Sequence, residues 1–494
     1  VLRQAYSFAL GLLLCSCVWL SSAAAPELEG FHPTGGQIGS TNEVAAFGKF
    51  DPWPPSVWID SAGLALVSTT NKGKFQAVIA ADARPGPCLV RFYNAEGASE
   101  PRFFVIGSGA ELADREPNDH FTNATAIAAL GVTINGNFDK REDVDNYAVE
   151  LKAGERLHAR MESHTLMSKV DAVLRLVDSD GYQLAWNHDH ATFDPLLEYV
   201  APKDQKVIVQ AFGFPYPAGS EIRLAGGEGS FYRLHLTTGQ APAHLAPRGE
   251  SLAYGTPVTG VLTNVAQRDA FTLPVKKDQW VSLQVRAAQI GSPLDAWIQI
   301  QGADGKEITR ADDSNGSADP ALEWKPTMDG EVKVVVGSLT RRGRPDFRYE
   351  LLAAAAPPAF KAVLEKGTLT LKPNEMNSVN LKIERFRGHT NKLEARVTGL
   401  PSAITATCTN VPAGNGSAVV AFIAPADAPP FQGPVVVKLF EAATGLEQVA
   451  PFELVSRSEN NGVPGGYQQL AIPQVEHLWL AVLSNAPAAT QAAK

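Results

Sequence analysis

Asp171-Ala172-Val173-Leu174-Arg175-Leu176, with Asp180-Gly181 shortly after it, is the stretch on which the fold turns. It returns 124 positions later as Asp295-Ala296-Trp297-Ile298-Gln299-Ile300, followed by Asp304-Gly305. Upstream, the same interval relates Ile134-Asn135-Gly136 to Val258-Thr259-Gly260, and Asp145-Asn146-Tyr147 to Asp269-Ala270-Phe271. Downstream, Asp194-Pro195 and Asp319-Pro320 lie 125 apart, so one residue has entered the turn between. A register held through this many anchors marks an internal duplication. Both copies alternate apolar and polar residues at period two, as in Ala148-Val149-Glu150-Leu151 and Val281-Ser282-Leu283-Gln284-Val285. That pattern belongs to half-buried antiparallel strands, and Asp-Gly marks the turns joining them. Each copy offers roughly seven or eight strand candidates, which predicts one β-sandwich per copy.

Outward from the duplication, the chain of 494 residues has room for three to five small domains. Its 45% hydrophobic content supplies apolar material for several cores, and 42 glycines with 34 prolines suit many short strands and turns. The prediction is an all-β chain of tandem β-sandwiches. A sandwich is expected over 26–110, the two copies over 111–240 and 241–357, and another sandwich over 358–456. The segment 457–494 is expected to be a C-terminal tail, with one candidate added strand within 476–483 packed on the last sandwich and a frayed Ala-rich end. Lys and Arg total 43 against 52 Asp and Glu, a net charge of -9. Nucleic-acid binding is therefore not expected, since it rests on concentrated positive charge.

Residues 1–25 read as an export signal: Arg3, an apolar run to Leu20, then Ser21-Ser22-Ala23-Ala24-Ala25 at peptidase spacing. A membrane anchor is the alternative, but the run falls short of the roughly 20 apolar residues a spanning helix needs. Leu14-Cys15-Ser16-Cys17 also allows a lipid anchor at Cys17. With the signal removed no transmembrane segment is expected, and the location is secreted, periplasmic or cell-surface. Cys88 and Cys408 would then be the remaining cysteines. They fall in different expected domains, which argues against a bridge between them.

Asp114-Arg115-Glu116-Pro117-Asn118-Asp119, Gly136, Asp143-Val144-Asp145-Asn146-Tyr147 and Leu176-Val177-Asp178-Ser179-Asp180-Gly181 together follow a family pattern. Residues 111–240 resemble the bacterial pre-peptidase C-terminal (PPC) domain, a jelly-roll-like β-sandwich found beside secreted proteases. Residues 241–357 resemble a diverged second copy. The stretch 26–110, through Pro33-Thr34-Gly35-Gly36 and its Pro-Gly before the last hairpin, resembles immunoglobulin-like domains of the IPT type, and 358–456 is also immunoglobulin-like.

Asp114, Glu116 and Asn118 alternate, so an extended backbone would aim them to one side, with Pro117 disfavouring helix at Glu116. Asp119, Asp143 and Asp145 add oxygens of the hard type calcium requires. The PPC resemblance implies calcium on these six residues; a solvated acidic linker is the alternative. Shifted by 124, the six positions read Thr238, Gln240, Pro242, Ala243, Gln267 and Asp269, so the second copy is not expected to hold the ion this way. Phe212, Phe214 and Tyr216 alternate onto one face, as a protein- or glycan-binding surface or as core. His188 and His190 read as a polar turn rather than a metal pair. Arg341, Arg342, Arg344 and Arg348 form a basic loop, solvated or gripping an acidic polymer.

The sequence has no His-Glu-x-x-His, Gly-x-Ser-x-Gly or Walker loop. The expected function is non-catalytic binding or adhesion to extracellular protein or polysaccharide. The alternatives are a secreted hydrolase, or an accessory part of one, and a structural component of the cell envelope.

Overall fold

The structure, a computed structural model, describes residues 24–190, 193–216, 223–238, 251–314, 317–455 and 470–484. The export reading of residues 1–25 falls almost wholly outside these, as do Cys15 and Cys17. The described residues form strands and three short 3-10 turns, with no α-helix among them. No helix there is long and apolar enough to cross a membrane. Cys88 and Cys408 are free thiols.

Alternating apolar residues build four two-sheet sandwiches, each closed around its own core. In the first, the strands Glu27–His32, Thr41–Lys49, Lys74–Ile79 and Leu64–Ser68 face a sheet of Gly35–Gln37, Arg102–Gly107, Gly86–Asn94 and Ser56–Ile59. This is the ABED-against-CFG order of an immunoglobulin-like domain, with the first strand switching sheets at Pro33.

The duplicated units share a different order. In the first copy, Val132–Asn137, Phe231–Thr237, Arg156–Glu162 and Leu196–Val200 form one sheet; Asp145–Leu151, Gln205–Pro215, Val170–Asp178 and Gln183–Asn187 form the other. The second copy repeats both sheets strand for strand, from Val258–Val261 to Arg348–Ala355. Eight strands in this order make a jelly roll. The repeated Asp-Pro pair has a structural purpose. Asp194 accepts the backbone N–H groups of Ser163, His164 and Thr165, and Asp319 those of Ala287, Ala288 and Gln289. Each buried carboxylate thereby satisfies the otherwise orphaned amides of a 3-10 turn. The repeated glycine is steric: a Cβ on Gly136 would stand 2.1 Å from the Tyr232 ring, and one on Gly260 2.3 Å from Tyr349.

The fourth sandwich corrects one expected boundary. Its second sheet runs Thr368–Leu371, Leu478–Val482, Phe431–Glu441 and Leu393–Thr398. The strand expected in a tail is thus integral, lying parallel to Thr368–Leu371 and antiparallel to Phe431–Val435, with every residue buried. The sandwich therefore takes in residues beyond 456. The four units also touch. Leu89 and Phe103 of the first, Leu166 and Phe231 of the second, and Leu454 and Val475 of the fourth share one apolar cluster. Arg387 of the fourth pairs with Glu323 of the third at 2.6 Å.

Candidate metal centre

The first copy carries two short edge strands that the second copy lacks among the described residues. Ala110–Ala113 runs parallel to Val132–Asn135 in one sheet, and Thr125–Ile127 parallel to Tyr147–Val149 in the other. The acidic segment between them must therefore cross from one sheet to the other over the end of the sandwich. Asp143 and Asp145 lie at that end, before and at the start of Asp145–Leu151.

All six residues singled out for calcium meet there. Carboxylate oxygens of Asp114, Glu116 and Asp145 lie within 4.8 Å of one another, as do those of Glu116, Asp119 and Asp143. Oxygens sharing one calcium at roughly 2.3–2.6 Å cannot lie much more than about 5 Å apart, so both groups satisfy that geometry. The means of gathering differs from the extended alternation expected. Residues 114–119 form no strand; the chain bends at a cis Glu116–Pro117 bond. Within the bend, Asn118 donates its side-chain amide to Asp114 Oδ1 at 2.8 Å and its backbone N–H to Glu116 Oε2 at 2.9 Å.

Asn118, Asp143 and Asp145 are each 0% exposed, and each keeps a buried oxygen, Oδ1, with no hydrogen-bond partner. An unpaired buried acceptor forfeits its hydration without compensation, a cost of about 1–3 kcal/mol and more when charged. The other oxygens are engaged. Asp143 Oδ2 accepts from the Asp139 N–H at 2.6 Å, and Asp145 Oδ2 from the Tyr232 hydroxyl. Tyr147 donates to Asp114 at 2.7 Å and meets the Tyr232 hydroxyl at 2.5 Å. Burial, reinforced by the charge of Asp114, pushes Asp145 up to about 10. Burial, with the Asp119 carboxyl group close by, raises Asp143 to about 6. Lys140, at the solvent side, lies 2.9 Å from Asp119 and 4.0 Å from Asp143.

The second copy fills the same place with protein. Tyr349 donates to Asp269 Oδ2 at 2.7 Å, as Tyr232 does to Asp145. Asp269 Oδ1 then accepts the side-chain amide of Gln267 at 3.0 Å. Gln267 stands where the first copy has Asp143, and its own oxygen accepts the N–H groups of Thr263 and Asn264. Gln240, Pro242 and Ala243, the other projected positions, lie outside the described residues.

From the acidic bend a chain of polar groups runs across the outer face of the second sheet. Asn146 donates to the Asn118 carbonyl at 2.8 Å, Gln210 to Asn146 at 2.7 Å, and Arg175 to Gln210 at 2.7 Å. Gln210 and Tyr232 were not singled out from the sequence. The repeated glycines at 136 and 260, each pressed against a tyrosine, were the available signal for Tyr232.

The aromatic trio divides. Phe212 and Phe214 share the outer face of their sheet, whereas Tyr216 leaves it to pack on His164 and Phe193, at centroid distances of 4.8 and 5.6 Å. His188 stacks on Trp186, and among the described residues no histidine joins a metal-type cluster. In the basic loop, Arg344 pairs with Asp346 at 2.7 Å, and Arg348 approaches Glu198 of the first copy at 3.8 Å.

No family model and no curated protein matches the chain. Among solved structures, it is similar over 94% of its length to surface layer protein SbsC, domains 1-6, at 10% identity and a TM-score of 0.17. It is also similar over 72% of its length to the M60 catalytic domain with the CBM51-1 and CBM51-2 domains from Clostridium perfringens ZmpB, at 7% identity and 0.15. The chain spans about half of each structure, 55% and 56% respectively. TM-scores of this size define no shared arrangement.

Proposed function

We propose that the chain is an exported, non-catalytic array of β-sandwiches that binds extracellular protein or polysaccharide, with its first jelly roll stiffened by calcium. The ion would be held by Asp114, Glu116, Asn118, Asp119, Asp143 and Asp145. The observation carrying the calcium reading is the set of three buried oxygens without a hydrogen-bond partner on Asn118, Asp143 and Asp145, at the one place where the second copy supplies an amide instead. Six hard oxygens with excess negative charge are a calcium donor set. Calcium supplies two positive charges that these carboxylates lack. The residues themselves tie the crossing segment 114–119 to both sheets, close to where the first sandwich hands over to the second. The PPC resemblance of 111–240 accords with this reading, and the absence of a catalytic signature in the sequence favours binding over turnover.

Differential scanning calorimetry of the full chain tests it. Saturating calcium is expected to raise a melting transition by on the order of 5–10 °C over chelator, as a ligand at about 100 times its Kd stabilises by roughly 2.7 kcal/mol. In Asp145→Ala that rise should vanish. An unchanged midpoint in the parent protein sinks the metal reading.

A further inference from the structure

The outer face of the first copy's second sheet holds a groove of about 530 Å3. Strand register builds it. Along Val170–Asp178, the outward residues Asp171, Val173 and Arg175 pair with Phe214, Phe212 and Gln210 on one side, and Arg175 pairs with Trp186 on the other. Val173, only 4% exposed, is the floor. Phe212 and Phe214 form one wall, and Trp186 with the stacked His188 forms the other. Large aromatic surface stays open: Trp186 is 56% and Phe214 41% exposed. Asp171 lines the groove and keeps a buried oxygen, Oδ1, with no partner. Arg175 is held by Nε on Gln210, with its carbon centre 5.2 Å from the Phe212 ring centroid.

The duplication again provides the control. Val173 and Phe212 are a cross-strand pair, and their counterparts are Trp297 and Gly337. The Trp297 indole fills the second copy's groove; a Cβ on Gly337 would stand 2.4 Å from its ring. Arg310 and Arg268 lie over that ring at 4.6 and 5.3 Å, and Trp297 is 6% exposed. One copy thus fills this position with its own flat ring, and the other leaves it open to solvent.

We propose that the groove of the first copy binds an uncharged pyranose ring of a polysaccharide. This rests on, and deepens, the binding function proposed above. A sugar ring presents a C–H face to Trp186 and Phe214 while its rim offers hydroxyls that both donate and accept. Asp171 needs a donor, and Arg175 offers guanidinium N–H groups to an acceptor. A hydrocarbon or plain aromatic side chain would bury these polar groups without partners, which is costly. One carboxylate beside one guanidinium leaves the groove close to neutral, matching a neutral sugar rather than a sulfated or uronic one.

Isothermal titration of the full chain with cello-, manno-, xylo- and chito-hexaose tests this. At least one should bind, with tryptophan fluorescence changing on binding. Trp186→Ala, at an exposed position, should weaken binding by about tenfold or more, the loss typical of a central aromatic anchor. The double variant Val173→Trp/Phe212→Gly imports the second copy's plug and should abolish binding. Failure of all four sugars, or undiminished binding in both variants, overturns the assignment. Binding only to acidic oligosaccharides or to matrix proteins such as gelatin also overturns it, while leaving the broader binding function standing.

Discussion

Asp145 and Asp269 occupy one position in two copies of a sandwich, and each accepts a hydroxyl from the tyrosine of the last strand. They part at the second oxygen. Asp269 finds the amide of Gln267 two residues upstream, whereas the first copy has Asp143 at that position and Asp145 lies among the carboxylates of Asp114 and Glu116 on the segment crossing above. A buried aspartate can thus be satisfied from within the chain or left for a cation, and the change of one neighbour between Gln and Asp separates the two. The sheet outside repeats the lesson: Trp297 seals in one copy what Val173 leaves open in the other.

The sharpest way to break this comparison is to convert one copy into the other. Asp143→Gln should give the first copy its own amide. In chelator its melting transition is expected to rise by several degrees over the parent, corresponding to roughly 1–3 kcal/mol for pairing a buried acceptor. The same variant should no longer respond to calcium. A variant that melts lower in chelator, or keeps the calcium response, contradicts the equivalence of Gln267 and the ion.

Acid–base behaviour gives the next effect. Without metal, Asp145 stays protonated in the folded chain up to about pH 10, while the unfolded chain releases that proton near pH 4. The folded state therefore binds more protons between these values, and stability falls as pH rises through the window. Between pH 7 and 9, above the ordinary range of the buried histidines, the loss should approach about 1.4 kcal/mol per pH unit. Thermal melts in chelator should show this slope, and Asp145→Asn should remove it. Calcium should flatten it by taking the proton's place. A flat profile without metal would mean that Asp145 is ionised in the folded chain.

The smallest effect concerns Lys140, whose ammonium lies beside Asp119 at the mouth of the cluster. Lys140→Ala removes a cation that competes for the same carboxylates. Calcium affinity, read by titration, should tighten by about threefold in this solvent-screened position. Weaker binding would show that the lysine supports the site.

Fold class was legible because alternation and a constant interval survive sequence drift; the duplicated anchors landed on matching strands of two jelly rolls. The six acidic-site residues were legible for a simpler reason, since oxygen-rich side chains cluster within two short segments. What joins them was not. The bend at Glu116–Pro117 replaces an extended run, and Tyr232 arrives from a strand whose spacing to its counterpart no longer keeps the interval. The groove also escaped, because Trp186, Val173 and Phe212 come from three strands and only pairing register brings them together. Period two placed Phe212 and Phe214 correctly but failed at Tyr216, where the strand has ended.

The buried strand Leu478–Val482 sets an order of events for the fourth sandwich. Its two neighbours emerge from the ribosome more than thirty-five residues earlier, and they cannot pair with each other across the slot it occupies. Until it arrives, both present bare edges flanking an apolar gap, a template for the wrong partner. Its insertion also brings Trp479 against Trp58 of the first sandwich, at 5.7 Å between centroids. One late segment therefore acts as the keystone between the earliest and latest described domains.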